Sequence, residues 1–219
     1  MTVLHADCLD VMGGLPEGSV DAIVTDPPYG TGRWTRRGGG PSHSVEPWDA
    51  WDTAWLDQAI RVCRGPIAFF CPASRFGDAI RHAEGAGQEW RMMAWCKPDP
   101  MPTFTRQIAY GMEPVIVLRH KLAKGGKDWC EASTPRKGRD RDASDHPHQK
   151  PLRVIAWLVA AMSDPDALVM DPFAGSGTTG VACLKSGRRC LLVERDSRHV
   201  ETIRKRLREA STPLFAQAS

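Results

Sequence analysis

The sequence lacks the features that mark several specialised classes of protein. It has seven cysteines in 219 residues, but no two have the C-x-x-C spacing typical of zinc sites and redox-active thiols. No apolar run is long enough to span a membrane, and Asp7 and Asp10 interrupt the beginning of the chain, so we expect no signal peptide. We therefore expect reduced, buried cysteines in a protein of the cytoplasm.

A strong excess of charge of one sign is also absent. The 29 lysines and arginines nearly balance the 26 aspartates and glutamates, which leaves a formal net charge of +3. Any surface for nucleic acid must therefore come from local basic clusters. His146 and His148 alone do not make up a ligand set, and we predict no metal site.

Strand patterns alternate with helix patterns along the chain, as the α/β class requires. The length fits one α/β domain over residues 1–219. Buried strands are predicted at 22–25, 66–71, 90–96, 113–118, 167–170 and 190–194, and helices at 51–62, 76–86 and 152–162.

The most unusual segment is Asp26-Pro27-Pro28-Tyr29, directly after the strand at 22–25. Each proline fixes φ at about −65° and has no N–H, so the prolines leave outward-facing carbonyls as acceptors. A carboxylate, these carbonyls and an aromatic face would together hold a planar ring that carries an amino group. The segment therefore predicts a pocket for a flipped-out nucleobase, although a stiff turn capped by an aspartate has the same pattern.

A glycine-rich segment, Asp171–Gly180, follows the strand at 167–170. Its glycines allow the backbone to turn tightly and to approach a ligand closely. The next strand ends in Glu194, 19 residues after Gly175. An acid at this place suits a bidentate interaction with ribose hydroxyls, which predicts a site for an adenosine-containing cofactor.

The same segment also matches G-x-G-x-x-G, the pattern of nicotinamide and flavin dinucleotide sites. A dinucleotide-dependent oxidoreductase is therefore an alternative. Asp171 favours another ligand, because a carboxylate at the strand end would repel a pyrophosphate but attract an ammonium group. S-adenosylmethionine combines an adenosine with a methionine-like ammonium and carries no phosphate, so it fits this pattern better.

With these two motifs in this order, the chain resembles the amino-methyltransferases of DNA, which carry D/S/N-P-P-Y/F/W beside a F-x-G-x-G cofactor loop. The tetrapeptide precedes the cofactor loop here, as in the permuted group called β. His146–Pro151 is similar to the H-P-x-x-K-P stretch of that group, and Asp7 matches its adenine-binding acid. The resemblance covers residues 2–30 and 146–210 closely and the middle of the chain only loosely.

The resemblance implies a Rossmann-like methyltransferase fold with a circularly permuted order of motifs. Its sheet has seven strands, mostly parallel, with a terminal antiparallel strand and the order 3-2-1-4-5-7-6. In this chain the two strands predicted at 90–96 and 113–118 would form the hairpin that closes that sheet.

The resemblance also implies roles for the residues of both motifs. Asp26 and the Pro27 carbonyl would accept the amine protons, Tyr29 would stack on the base, and Pro28 completes the catalytic tetrapeptide. The acids would hold the cofactor, with Asp171 at its methionine part. The predicted cofactor-binding residues are Asp7, Cys8, Lys150, Asp171, Phe173, Ala174, Gly175, Ser176, Gly177, Thr178 and Glu194.

Two basic stretches are predicted to contact double-stranded DNA. One is the arginine-rich and glycine-rich stretch that follows Tyr29, and the other is residues 119–145, which hold eight lysines and arginines against five acids and form the candidate target-recognition segment. Charge runs of this kind also occur on ordinary solvated surfaces. The predicted DNA contacts are Arg33, Trp34, Arg36, Arg37, Arg136, Lys137 and Arg139.

The resemblance also bears on the methylated base and on partners. Aspartate at the first position of the tetrapeptide goes more often with N6-adenine in the resembling enzymes, so we predict adenine, with N4-cytosine as the alternative. A binding module that keeps the cofactor fold without catalysis is a further alternative. The short recognition segment favours a homodimer, and a cognate restriction endonuclease is a partner that the family allows.

Overall fold

Buried β-branched and aromatic strands form the centre of the fold. The computed structural model describes residues 1–30, 52–99, 111–119, 126–136 and 149–212. Ala22–Thr25 and Ile67–Phe70 are buried at every position, which is the pattern of strands covered on both faces. In chain order the elements are β1 (Thr2–His5), α1 (Cys8–Gly14), β2 (Ala22–Thr25), α2 (Ala54–Val62), β3 (Ile67–Phe70), α3 (Phe76–Gly85), β4 (Trp90–Cys96), β5 (Met112–Leu118), β6 (Trp129–Glu131), α4 (Leu152–Met162), β7 (Leu168–Asp171), α5 (Thr178–Lys185), β8 (Arg189–Glu194) and α6 (Ser197–Ser211).

These strands form one sheet in the order β1-β8-β7-β2-β3-β5-β4-β6. Five neighbouring pairs are parallel, and β5 is antiparallel to both β3 and β4. The first seven positions follow the predicted order 3-2-1-4-5-7-6, and the β4–β5 hairpin is present as predicted.

Two details of the predicted sheet are wrong. The described residues contain eight strands, because β6 adds to the free edge of β4 in parallel register. The antiparallel strand β5 is not terminal, because it lies between β3 and β4, and the sheet ends in β6. The extra strand falls within the segment 119–145, which is short, charged and gives no periodic signal of a strand.

Helices cover both faces of the sheet. On one face α4 and α5 pack against the central strands through residues such as Leu158 and Ala182, and Ile203 of α6 joins the same cluster. On the other face α1, α2 and α3 pack through Met12, Trp55 and Ala79. All seven cysteines are free and five of them are buried, as expected. Among the described residues no helix has the length and apolarity needed to cross a membrane.

The parallel pairing brings the predicted site residues to one edge of the sheet. The strands β1, β8, β7 and β2 are neighbours and point in the same direction, so their carboxyl ends meet. Glu194 and Asp171 are the last residues of β8 and β7, Asp26 directly follows β2, and Asp7 follows β1 after one residue. Ligand sites of open α/β sheets lie at this edge.

Candidate active site

The tetrapeptide after β2 presents a carboxylate that is only partly covered. The Asp26 side chain is 26% exposed, whereas the neighbouring Pro27 is buried. The Tyr29 hydroxyl lies 2.7 Å from Oδ1 of Asp26 and 2.8 Å from Oε1 of Glu113 on β5. Because a tyrosine has one hydroxyl proton, it donates to one of the two carboxylates at a time.

Lys150 joins the same group of side chains from the segment before α4. Its Nζ lies 2.8 Å from Oδ2 of Asp26 and 2.8 Å from Oε1 of Glu113, and it donates to the Tyr29 hydroxyl at 3.1 Å. Lys97, which follows β4, lies 3.0 Å from the other oxygen of Glu113. We call Asp26, Tyr29, Lys97, Glu113 and Lys150 the charge cluster. It contains two carboxylates, two ammonium groups and one hydroxyl.

The charge cluster shifts the pKa values of its members. Burial raises the pKa of Asp26, and the Lys150 ammonium offsets this only in part. Burial acts in the same direction on Glu113, but the charges of Lys150 and Lys97 outweigh it and bring its pKa to about 2. Burial also raises the pKa of Tyr29, so its hydroxyl stays protonated and donates.

Asp171 is buried, and its carboxylate bonds within the protein. Oδ1 accepts from the Thr25 hydroxyl at 2.7 Å and from the backbone N–H of Phe173 at 3.1 Å, and Oδ2 accepts from the Thr179 hydroxyl at 2.6 Å. Thr25 is the last residue of β2, directly before the tetrapeptide. Asp171 therefore links the two predicted motifs to each other, and its role toward a cofactor stays a prediction.

The glycine-rich loop between β7 and α5 passes beside the end of β8. The Gly175 N–H donates to Oε2 of Glu194 at 2.8 Å, and the Asp196 N–H donates to Oε1 at 2.8 Å. Burial alone would raise the pKa of Glu194, but the bond to His199 and these two N–H groups lower it, so the carboxylate is ionised. Oε1 also faces Nδ1 of His199 at 3.8 Å, so Oε2 is the oxygen better placed to accept from a ligand hydroxyl.

Two glycines of the G-x-G-x-x-G pattern are required by packing. Gly177 precedes α5 at φ 77°, and a Cβ there would lie 2.9 Å from Cγ1 of Ile203 on α6. A Cβ on Gly180 would lie 2.6 Å from Cδ1 of Leu192 on β8. The spacing that resembles a dinucleotide site therefore arises in part from helix and sheet packing, which carries no information about a phosphate.

The acids around this loop fit an S-adenosyl group. Carboxylates suit a ribose, an amine and an ammonium, which are the polar parts of that cofactor, and they disfavour a phosphate. Asp7 is exposed beside Glu194, and one of its oxygens also caps α1 by accepting from the Leu9 N–H at 2.8 Å. The adjacent Cys8 is half-buried, and burial together with the Asp7 charge raises the pKa of its thiol to about 12.

Most of the predicted DNA contacts fall outside the part of the chain that the structure describes. Arg33, Trp34, Arg36, Arg37, Lys137 and Arg139 belong to this group, as do residues 146–148 of the H-P-x-x-K-P stretch. Arg136 is described, and its side chain is half exposed and paired with Asp99 at 2.8 Å. Its role in DNA contact stays a prediction.

Comparison with known families identifies the chain. Residues 20–205 match the family model of the N6/N4 methyltransferases, described as DNA methylases. The chain belongs to this family. The tetrapeptide and the glycine-rich loop lie within the match, as do all five members of the charge cluster. The predicted family, a DNA amino-methyltransferase that uses S-adenosylmethionine, is thereby confirmed, and the oxidoreductase alternative falls away.

Individual relatives agree with this assignment of the DNA methylase. The type II methyltransferase M.HinfI of Haemophilus influenzae is 25% identical over 251 residues, which cover 95% of this chain and 68% of that protein. The type II methyltransferase M2.MboI of Moraxella bovis is 25% identical over 246 residues, covering 97% of this chain and 89% of that protein.

Solved structures share the fold of this DNA methylase. The complex of M1.HpyAVI with S-adenosylmethionine superposes with a TM-score of 0.73 at 23% identity and covers 94% of this chain and 98% of that one. The cytosine-N4-specific PvuII DNA methyltransferase has a TM-score of 0.71 at 15% identity, covering 95% and 90%. The predicted Rossmann-like methyltransferase fold is confirmed.

Two members of the charge cluster, Glu113 and Lys97, are absent from the predicted site residues. Glu113 contacts three other members, yet it lies in the strand that was predicted only as a structural element. The available signal was a single acid next to the apolar run Pro114–Leu118, near the start of a strand that β3 separates from β2. Lys150 was predicted to bind the cofactor carboxylate or a DNA phosphate. The structure places its Nζ beside Asp26, and its role toward either ligand stays a prediction.

Proposed function

We propose that this DNA methylase transfers a methyl group from S-adenosylmethionine to N6 of adenine in double-stranded DNA. The observation that carries the proposal is the partly exposed carboxylate of Asp26 beside the cofactor loop. The hydrogen bond from Thr25 to Asp171 joins the tetrapeptide to that loop. Family membership establishes the amino group as the target. The preference for adenine depends on the aspartate at the first position of the tetrapeptide.

The proposed reaction does not require a strong base in the protein. The cofactor supplies its methyl group on a sulfonium, which is already an activated leaving group. The amine nitrogen bonds to the methyl carbon, the carbon–sulfur bond breaks with its electron pair left on sulfur, and the methylated amine then releases one proton to solvent water. Asp26 and the Pro27 carbonyl accept hydrogen bonds from the amine, which directs the nitrogen lone pair toward the methyl group.

The proposal includes extrusion of the base from the duplex. A stacked adenine cannot bring its amine to a carboxylate at the edge of a sheet, so the base rotates out and stacks on Tyr29. The Tyr29 ring packs partly against the core and its hydroxyl bonds to carboxylates, which favours a fixed stacking face. We assign cofactor roles to Glu194 for the ribose, Asp7 for the adenine, and the loop Phe173–Gly177 for the methionine part.

Analysis of the product tests the proposal. Plasmid DNA from a host without DNA methyltransferases is incubated with the protein and S-adenosylmethionine, digested to nucleosides, and analysed by mass spectrometry. We expect N6-methyladenine. Detection of N4-methylcytosine instead would show that the substrate base is cytosine and not adenine. The absence of both methylated bases would overturn the proposed function.

The variant Asp26→Ala tests the role of the carboxylate. We expect methyl transfer to fall by at least about a hundredfold, since the amine loses an acceptor that also orients it. The affinity for S-adenosylmethionine, measured by calorimetry without DNA, should change little. Undiminished methylation by Asp26→Ala would contradict the mechanism, whereas loss of both activity and cofactor binding would indicate a structural role.

Further parts of the proposal concern specificity and partners. We propose that residues 119–145 read the target sequence, that residues 1–219 act as one methyltransferase domain of the permuted β group, and that the protein works in restriction-modification. A homodimer and a cognate endonuclease remain predictions. Sequencing that detects modified bases, applied to DNA from cells that express the protein, would report the base, its position and its sequence context together.

A further inference from the structure

Glu113 reaches the catalytic carboxylate through the topology of the sheet. The strands β2 and β3 are parallel, and β5 runs antiparallel to β3, so the start of β5 lies at the same edge as the end of β2. The pairing of Phe70 with Val115 puts Glu113 just beyond the end of β3. Its side chain is only 14% exposed, yet it makes two ion pairs and accepts from Tyr29.

The arrangement around Lys150 divides one positive charge between two carboxylates. Nζ lies 2.8 Å from Asp26 and 2.8 Å from Glu113, and its side chain is 10% exposed. A buried ammonium with one carboxylate partner concentrates its charge on that partner and makes it a poorer acceptor. With two carboxylates at equal distance, the Lys150 ammonium weakens Asp26 as an acceptor less than it would if its charge were concentrated on Asp26.

We infer that Glu113 is a positioning residue of the methyl transfer: it shares the Lys150 ammonium with Asp26 and so preserves Asp26 as an acceptor for the substrate amine. The inference rests on the proposed function. Glu113 also holds the Tyr29 hydroxyl, which fixes the direction of the ring against which the base stacks. It acts through Asp26, Lys150 and Tyr29 and does not itself touch the base.

The balance of charge in the cluster makes the inference testable. The groups that face Asp26 are Lys150 and Glu113 at close range, its neighbour Tyr29, and the Asp171 carboxylate farther away, with Lys97 behind Glu113. Loss of the Glu113 charge leaves an excess of positive charge, which lowers the pKa of Asp26. Loss of the Lys97 charge leaves an excess of negative charge, which raises it.

Two variants with opposite expected effects provide the experiment. Initial rates of methyl transfer to the plasmid DNA described above are measured across pH for the wild type, Glu113→Gln and Lys97→Met. For Glu113→Gln we expect kcat to fall at least about tenfold, with the acidic limb of the profile moved to lower pH by about one unit and the KM for S-adenosylmethionine nearly unchanged. For Lys97→Met we expect the acidic limb to move to higher pH.

The control is Glu201→Gln, which removes the same charge from an exposed position on α6. Movement of the acidic limb to lower pH in Glu113→Gln and to higher pH in Lys97→Met, with none in the control, supports the inference, and movement in the reverse directions overturns it. An unmoved limb, or movement in the same direction in both, overturns it even if kcat falls, since a structural role would lower the rate without shifting the profile. If Glu113→Gln does not fold, Lys97→Met alone decides by the direction of its shift. A wild type that methylates no DNA overturns the proposed function and this inference with it.

Discussion

At the scale of single residues, Glu194 provides a direct test of the cofactor site. Its two oxygens accept from the N–H groups of Gly175 and Asp196, so an amide in place of the carboxylate would turn an NH₂ group toward one of these donors. Glu194→Gln also removes the negative charge that would bind the ribose hydroxyls. We expect the Kd for S-adenosylmethionine, measured by calorimetry without DNA, to rise about 10- to 100-fold, as for the loss of a charged hydrogen bond.

The exposed Glu201→Gln serves as the matched control for this measurement as well. It removes the same charge, but its ion pair with Arg204 lies on the solvent side of α6. We expect its Kd to equal that of the wild type. Equal affinities for Glu194→Gln and Glu201→Gln would contradict the assignment of the ribose to Glu194.

The residues of the candidate site were predictable where they belong to a short continuous motif. Asp26–Tyr29 and the loop after Asp171 are short motifs next to strands, and parallel strands bring their ends together. Glu113 was not predictable in this way, because its link to Asp26 passes through Lys150 and depends on the antiparallel pairing of β5 with β3. The bonds of Asp171 to Thr25 and Thr179 were likewise invisible in the sequence, since they join residues that lie far apart in it or on different elements.

At the scale of elements, the junction between the cofactor loop and α5 depends on Gly177. Gly177→Ala would place a methyl group 2.9 Å from Ile203 and force an L-residue to φ 77°. A left-handed alanine costs about 1–2 kcal/mol, and overpacking of this kind costs about 1–3 kcal/mol more. We expect the free energy of unfolding in urea to fall by at least about 2 kcal/mol.

Gly187 offers a control that separates the two contributions. It has φ 70°, but a Cβ built there meets no atom within 4 Å. Gly187→Ala should therefore cost only the conformational part, about 1 kcal/mol. If Gly177→Ala is no more destabilising than Gly187→Ala, the contact with α6 is not the reason for glycine at position 177.

The elements themselves were predictable to different degrees. Strands such as β4 and the helix α4 have strong periodic patterns, and their predicted bounds, 90–96 and 152–162, agree with the structure. α6 was not predicted, although it is strongly amphipathic. β6 has only three residues and is stabilised by its pairing with β4, so its own sequence carries almost no signal.

At the scale of the whole molecule, Asp171 couples the stability of the fold to pH. Burial raises the pKa of this carboxyl from 3.8 to about 6, although hydrogen bonds from Thr179, Thr25 and Phe173 oppose the shift. The folded protein therefore binds this proton more tightly than the unfolded chain does. The contribution of Asp171 to stability thus falls as pH rises from about 4 to about 6, by about 3 kcal/mol in all, and changes little at higher pH.

Asp171→Asn removes this titration and keeps most of the bonds. The amide oxygen accepts from Thr25 and Phe173, and the amide NH₂ donates to a rotated Thr179 hydroxyl. We expect the unfolding free energy of the variant, relative to the wild type, to increase by about 3 kcal/mol between pH 4 and pH 7. The same series on the exposed Asp164→Asn accounts for the general effect of losing an acid. A difference that stays flat across this range would mean that the Asp171 carboxylate is stabilised in the fold as well as it is in water. The ionised Asp171 carboxylate, which links the catalytic strand to the cofactor loop, would then not lower the free energy of unfolding.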